Sequence, residues 1–266
     1  MYGSPDNVPR AVVLVGNGSR VASVRTELVA LARTVSRLTG ISNVVSCTET
    51  DLKLALDQFA ALGVADIHVQ PYFLGLVGKL ASRLHERARS WERTHAGQRV
   101  SIGEPLGDHP LISDAVRDAA SRCLLGRQGT LVLVGHGSPE PAWSRSLYIQ
   151  ARRLERLGVF KRVLPTFLAH EEPSLEGTVE GLRGEVAIVP FFLTRGVHTS
   201  IEIPQVIARL RPPLAHLQLA PPWADDPRIA LAVAARIFNG AHFRLVRGGR
   251  CVHVQPLLQP PRRQWT

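Results

Sequence analysis

The chain is an internal duplication with an offset of 119 residues, the separation between Asn17 and His136. Val13-Leu-Val-Gly-Asn-Gly-Ser19 returns as Val132-Leu-Val-Gly-His-Gly-Ser138, and Gln70-Pro-Tyr-Phe-Leu74 returns as Val189-Pro-Phe-Phe-Leu193. Pro71 then faces Pro190, and Lys79 faces His198. A duplication restricts the fold to two copies of one unit, each small enough to sit in half of 266 residues and large enough to bury a core. His136 and His198 both lie in the second copy, where the first copy has Asn17 and Lys79. The expectation is two similar domains carrying one active site.

Apolar runs at 11–15, 42–46, 65–70, 99–102, 130–134, 161–167, 185–190 and 214–219 read as strands, several of them continuously apolar, as in a parallel sheet covered on both faces. Between them the apolar spacing turns helical. Val21, Val24, Leu28, Leu31 and Val35 mark one face of a helix over 21–38, and 51–62, 79–97, 110–124, 141–157, 174–183, 199–210 and 226–238 read likewise. Strand and helix alternate, so the fold class is α/β, two tandem doubly wound parallel-sheet domains from βαβ units. Pro105-Leu-Gly-Asp-His-Pro-Leu-Ile112 recurs as Pro222-Trp-Ala-Asp-Asp-Pro-Arg-Ile229 before the last helix of each half. The domains are drawn at 1–126 and 127–240, joined near Leu125-Gly-Arg-Gln-Gly129, with 241–266 a tail expected to be partly disordered.

No apolar run reaches the ~18 residues of a membrane helix, and Met1-Tyr-Gly-Ser-Pro-Asp-Asn has no signal-peptide pattern, so a cytoplasmic protein without a membrane partner is expected. Cys47, Cys123 and Cys251 match neither a disulfide framework nor a CxxC metal site. The net charge of +10 favours an anionic partner. Nucleic acid is not expected, because the arginines are spread along both halves and no nucleic-acid-binding motif is present.

In open parallel sheets ligands bind beyond the carboxyl ends of the strands. His136 follows the strand at 130–134 directly, between Gly135 and Gly137, and His198 follows the strand at 185–190 where a helix begins. Two imidazoles aimed at one crevice suit metal ligation or proton acceptance. Gly135-His-Gly-Ser138 is no dinucleotide fingerprint, since Glu140 occupies the third glycine position, and the same Glu140 rules out a nucleophile elbow around Ser138. The Arg-His-Gly of histidine phosphatases is also absent, because Gly135 precedes the histidine.

Val132-Leu-Val-Gly-His-Gly-Ser138, Phe167-Leu-Ala-His-Glu-Glu-Pro-Ser-Leu175 and Val189-Pro-Phe-Phe-Leu-Thr-Arg-Gly-Val-His-Thr-Ser-Ile-Glu-Ile-Pro204, in this order, resemble the sirohydrochlorin chelatase family of the CbiX/SirB type, the class II chelatases. Both repeats together extend the resemblance over 11–238. It implies tandem ferrochelatase-like domains that insert Co2+ or Fe2+ into sirohydrochlorin without ATP, toward cobalamin or siroheme. It places the family's histidines on His136 and His198 as metal ligands and catalytic groups, with the acid before Pro-Ser on Glu172 as a third catalytic residue. Ser138, Arg145, Arg195, Glu202 and Lys79 are assigned to the substrate, with Arg20 beside them, and His170 is a further imidazole open to a ligand role or a plain surface position. The anionic tetrapyrrole gives the basic charge a use.

Imidazole is a borderline-soft ligand that holds Co2+, Fe2+ or Ni2+ without the grip of a thiolate. No permanently bound cofactor is expected; the divalent metal is a substrate and the tetrapyrrole the partner, and the oligomeric state stays open, although the duplication lets a monomer supply both lobes of a cleft. The alternative is a non-catalytic tetrapyrrole- or metal-binding protein derived from a chelatase, or a module whose histidines only pack.

Overall fold

Runs with no polar side chain need cover on both faces, and in the computed structural model they have it. It describes residues 11–16, 22–75, 78–124, 129–210 and 216–238, with the backbone of 243–247 and 250–254. Asn17, Arg20, most of the linker read at 125–129 and the tail beyond 254 lie outside the described residues. β1 (Ala11–Gly16) and β5 (Thr130–Gly135) are buried along their whole length. The first half continues with α1 (Ala22–Thr39), β2 (Asn43–Thr48), α2 (Leu52–Ala61), β3 (Asp66–Pro71), α3 (Gly78–Thr94), β4 (Arg99–Ile102) and α4 (Pro110–Ser121). The second half continues with α5 (Arg145–Arg156), β6 (Arg162–Phe167), α6 (Leu175–Glu180), β7 (Val186–Pro190), α7 (Ile203–Arg209), β8 (Leu217–Leu219) and α8 (Pro227–Ile237).

Two four-stranded sheets result, in the orders β2-β1-β3-β4 and β6-β5-β7-β8, every pairing parallel. Ala11 pairs with Asn43 and Ile67, and Thr130 pairs with Arg162 and Val186, so the sequence offset holds through three strands of each sheet. At the fourth strand it shortens by two residues: Ile67 pairs with Val100, whereas Val186 pairs with Leu217. The same shortening sets Pro105 against Pro222.

The last helices are exchanged between the halves. α4 packs on β7 beside α5, while α8 packs on β3 beside α1 and α4. One continuous core therefore runs through both halves, from Val12 and Leu14 through Ile112 and Val116 to Leu133, Leu154 and Val233. Two further cores lie on the outer faces, under α2 and α3 in the first half and under α6 and α7 in the second. Polar bonds tie the shared layer: Arg228 reaches Asp118 at 2.7 Å, Arg236 reaches Glu104 at 2.5 Å and also bonds Asp108, and Gln150 donates to Gly107 O at 2.6 Å while accepting from Ser113 Oγ.

Three local details differ from the sequence reading. The helix read over 141–157 starts at Arg145, after a short 3-10 turn at Pro141–Trp143. The helix read from 199 opens as a π turn, His198–Glu202, before α7. Pro204 has no N–H to give to the preceding turn, which leaves room for the wider ring. In the tail, β9 (Phe243–Arg247) and β10 (Arg250–Val254) pair as an antiparallel hairpin, beside α1, where no element was read.

Candidate active site

In each sheet the connections run to opposite sides of the first strand, so the crevice beyond its carboxyl end is the switch point where ligands bind. In the second sheet that crevice lies between β5 and β7. His136 follows β5 and His198 follows β7 with its short extension, which is why the two imidazoles meet although the sequence separates them. Their ring centroids stand 4.6 Å apart with the planes at 62°.

The loop carrying His136 requires glycine at 137, while Gly135 leaves room for the Leu147 side chain. A Cβ on Gly135 would stand 2.6 Å from Leu147 Cδ1, and one on Gly137 would stand 1.8 Å from Ala169 O. Gly137 also has φ +85°, which side chains resist. Leu168 N donates to Gly135 O and Ala169 N to His136 O, so the chain after β6 runs alongside this loop. Glu171 then reaches across it, its carboxylate accepting from Ser138 N at 2.8 Å and from Ser144 Oγ.

Both imidazoles have one ring nitrogen engaged. His136 Nδ1 lies 2.8 Å from Gly137 O, a bond it makes as donor, which leaves Nε2 with its lone pair. His198 Nδ1 lies 2.8 Å from Glu202 Oε2, and its ring stacks on Phe192 with centroids 5.5 Å apart. The π turn brings Glu202 beneath His198. A carboxylate holding the far nitrogen of an imidazole fixes its orientation and raises its basicity toward a metal. Among the described residues no three His, Cys, Asp or Glu side chains form one metal cage.

The two halves enclose a cleft of about 690 Å3 that His136 lines, with Phe192 between the cleft and His198. Its lining includes His136, Ser138, Trp143, Phe191 and Phe192 from the second half, and Arg25, Val29, Leu54, Tyr72 and Phe73 from the first. Leu54 is 62% exposed and Val29 43%, so the first half offers an apolar wall at the mouth. Tyr72 seals the back by donating to Leu193 O at 3.0 Å. Cys47 also lines the cleft; burial pushes its thiol up to about 12, with the charge of Asp51 adding to the effect, so it stays a neutral thiol.

Of the residues read from sequence, His136, His198, Ser138 and Glu202 are brought together. Glu172 is exposed and accepts from Ser174 N at 2.7 Å. Arg195 is ion-paired with Asp225, and Arg145 and Lys79 are exposed at the starts of α5 and α3. Arg83 occupies the first-half position equivalent to Glu202, and its guanidinium grips Glu49 at 2.8 and 3.0 Å; the first copy thus has cations where the second has the His–Glu pair. Sequence reading missed Glu171, because two adjacent acids at 171 and 172 give no spacing by which to choose. It also missed Arg25, whose i, i+3, i+4 relation to Leu28 and Val29 is the only trace of its shared face.

The CbiX family model matches residues 11–123 and again 130–239. The chain belongs to the CbiX family. Its two matches to CbiX fall on the two sheets, so the duplication seen in the sequence is a duplication of the family's unit. A sirohydrochlorin cobaltochelatase of Methanopyrus kandleri is 33% identical over 99 residues, covering 36% of this chain and 62% of that relative, less than two thirds of its length. A sirohydrochlorin ferrochelatase of Bacillus subtilis is 21% identical over 237 residues, covering 86% of this chain and 90% of the relative. The solved structure of SirB from Bacillus subtilis with Fe3+ superposes with a TM-score of 0.77 at 23% identity, over 87% of this chain and 95% of that one, which shows a common fold.

Proposed function

We propose that this chain is a sirohydrochlorin chelatase, inserting Co2+ or Fe2+ into sirohydrochlorin without ATP, toward cobalamin or siroheme. The observation that carries the reading is the pair His136 and His198, 4.6 Å apart with Nδ1 of each engaged, at a cleft between two CbiX repeats. Two neutral imidazoles replace water on a divalent ion without binding it as firmly as thiolates. A metal to be handed on needs that looseness. The metal is a substrate in this reading, and no resident cofactor takes part.

Insertion exchanges the imidazoles and remaining waters for four ring nitrogens and releases two pyrrole N–H protons. As each histidine lets the metal go, its Nε2 becomes a base within reach of the macrocycle, and Glu202 stabilises the imidazolium that forms on His198. Glu171 holds the His136 loop, and Glu172, at the surface, is left as an onward proton acceptor. Arg25 in the lining meets the carboxylates of the tetrapyrrole, with exposed Arg145, Lys79 and Arg195 as its further partners in this reading. The protein acts as a monomer in the cytoplasm, since one chain supplies both lobes of the cleft; no helix among the described residues is long and apolar enough to cross a membrane.

The test is anaerobic metallation of sirohydrochlorin followed by visible absorbance, with Co2+ and Fe2+ in parallel. Acceleration over the spontaneous rate that is lost in His136→Ala and His198→Ala is the expected result, and the faster metal names the pathway. Tetrapyrrole binding without acceleration by either metal overturns it in favour of a carrier.

A further inference from the structure

The loop after β6 stores strain at one residue. Glu171 N donates to Ala169 O at 2.8 Å, closing a three-residue turn on His170, whose φ is +65°. A γ-turn with positive φ is sparsely populated by any residue bearing a Cβ, at a cost of order 1–3 kcal/mol. The turn is held at both ends: Ala169 N bonds His136 O at 2.9 Å, and the Glu171 carboxylate bonds Ser138 N at 2.8 Å and Ser144 Oγ. Glycine would sit there without that strain, yet the position carries an imidazole.

The strained turn sets that imidazole beside the active-site pair. The His170 ring lies 5.8 Å from the His136 ring, with planes at 46°, and is exposed. No hydrogen bond to it is formed among the described residues. With metal–nitrogen bonds of about 2.1 Å, two imidazoles sharing one ion have centroids roughly 4.5–6.5 Å apart, and both the 5.8 Å and the 4.6 Å gap fall there. His136 is common to both pairs. His170 is exposed, His136 lines the cleft, and half-buried His198 stands behind Phe192, on which it stacks and which lines the cleft in its place.

We propose that His170 is a metal-entry ligand: with His136 it takes a hydrated divalent cation from solvent, and the ion then passes to His136 and His198 by exchange of one imidazole for the other. Only ligands exchange, water and then His170 leaving the ion, and no electron moves. The proposal rests on the chelatase reading for its purpose but not for its test.

Co2+ binding to the tetrapyrrole-free protein is followed by stopped-flow visible d–d absorbance and by calorimetry, for wild type, His170→Gly and His136→Ala. Glycine relieves the turn, so His170→Gly keeps the fold and melts at or above the wild-type temperature. Because His170 leaves the ion before the final pair holds it, the expected result is Co2+ association about tenfold slower in His170→Gly with the end-point affinity and spectrum of wild type, and binding lost in His136→Ala. In metallation assays at limiting Co2+, His170→Gly is slowed by the same factor while the KM for the tetrapyrrole does not move, a split that a packing role would not produce. A wild-type Co2+ association rate in His170→Gly overturns the entry role and leaves the chelatase reading standing. Absence of metallation by wild type, with the Co2+ dependence on His170 intact, overturns the chelatase reading and sustains the metal site.

Discussion

His198 Nδ1 sits 2.8 Å from Glu202 Oε2, joined across the π turn, and the bond leaves Nε2 as the ring nitrogen open to a metal. Both groups are partly exposed, so the pair acts by orienting the imidazole more than by stabilising the fold. Glu202→Gln keeps an acceptor oxygen but removes the charge. Co2+ affinity is expected to fall about 10- to 100-fold with little change in melting temperature, as calorimetric titration and thermal unfolding would show. An unchanged affinity would show that the carboxylate does not tune His198.

Gly137 faces a harder constraint than its neighbours. Its positive φ and the 1.8 Å approach of a Cβ to Ala169 O act together, and the obstacle is backbone that cannot swing aside. Gly137→Ala is expected to destabilise the protein by at least about 3 kcal/mol in urea unfolding and to separate His136 from His198. Gly40, also at positive φ but with nothing within 4 Å of a Cβ, serves as the control and should lose only about 1 kcal/mol on substitution by Ala.

The exchanged helices predict the behaviour of the separated halves. A fragment of residues 1–126 lacks α8 and so leaves bare the inner face of its own sheet, while 127–266 lacks α4. Each alone is expected to aggregate or remain without near-ultraviolet circular dichroism, and co-expression is expected to restore a 1:1 complex. A cooperative melt from either fragment alone would show that each sheet closes its own core.

His109 couples the fold to pH. Its Nδ1 accepts from Leu111 N at 3.2 Å, capping α4, which requires that nitrogen unprotonated. Burial, with the charge of Arg236 beside it, lowers its pKa to about 4. The unfolded chain binds the proton near pH 6.5 and the folded one only near 4, so stability rises with pH across that window and is lost as pH falls through it. His109→Asn keeps the cap without the titration. Melting temperatures measured from pH 7 down to 4 should fall more steeply for wild type than for this variant; parallel curves would assign the acid sensitivity elsewhere, with buried His68, whose pKa burial also lowers, the next group to replace.

The offset repeat, the continuous apolar strands and the two second-half histidines were all legible in the chain, because a parallel strand buried on both faces must be apolar along its length and a glycine-flanked histidine at its end has few conformations open to it. These determined two four-stranded units and placed His136 and His198 at one crevice. Which side chains complete the site was decided in three dimensions. Glu171 and Glu172 are neighbours in sequence, yet only Glu171 turns back to Ser138, because the strained turn at His170 aims it there. Arg25 and Leu54 reach the cleft because the halves meet at an angle fixed by their shared core, and α4 and α8 cross to the sister sheets because apolar periodicity says that a helix face must be buried without saying against which sheet.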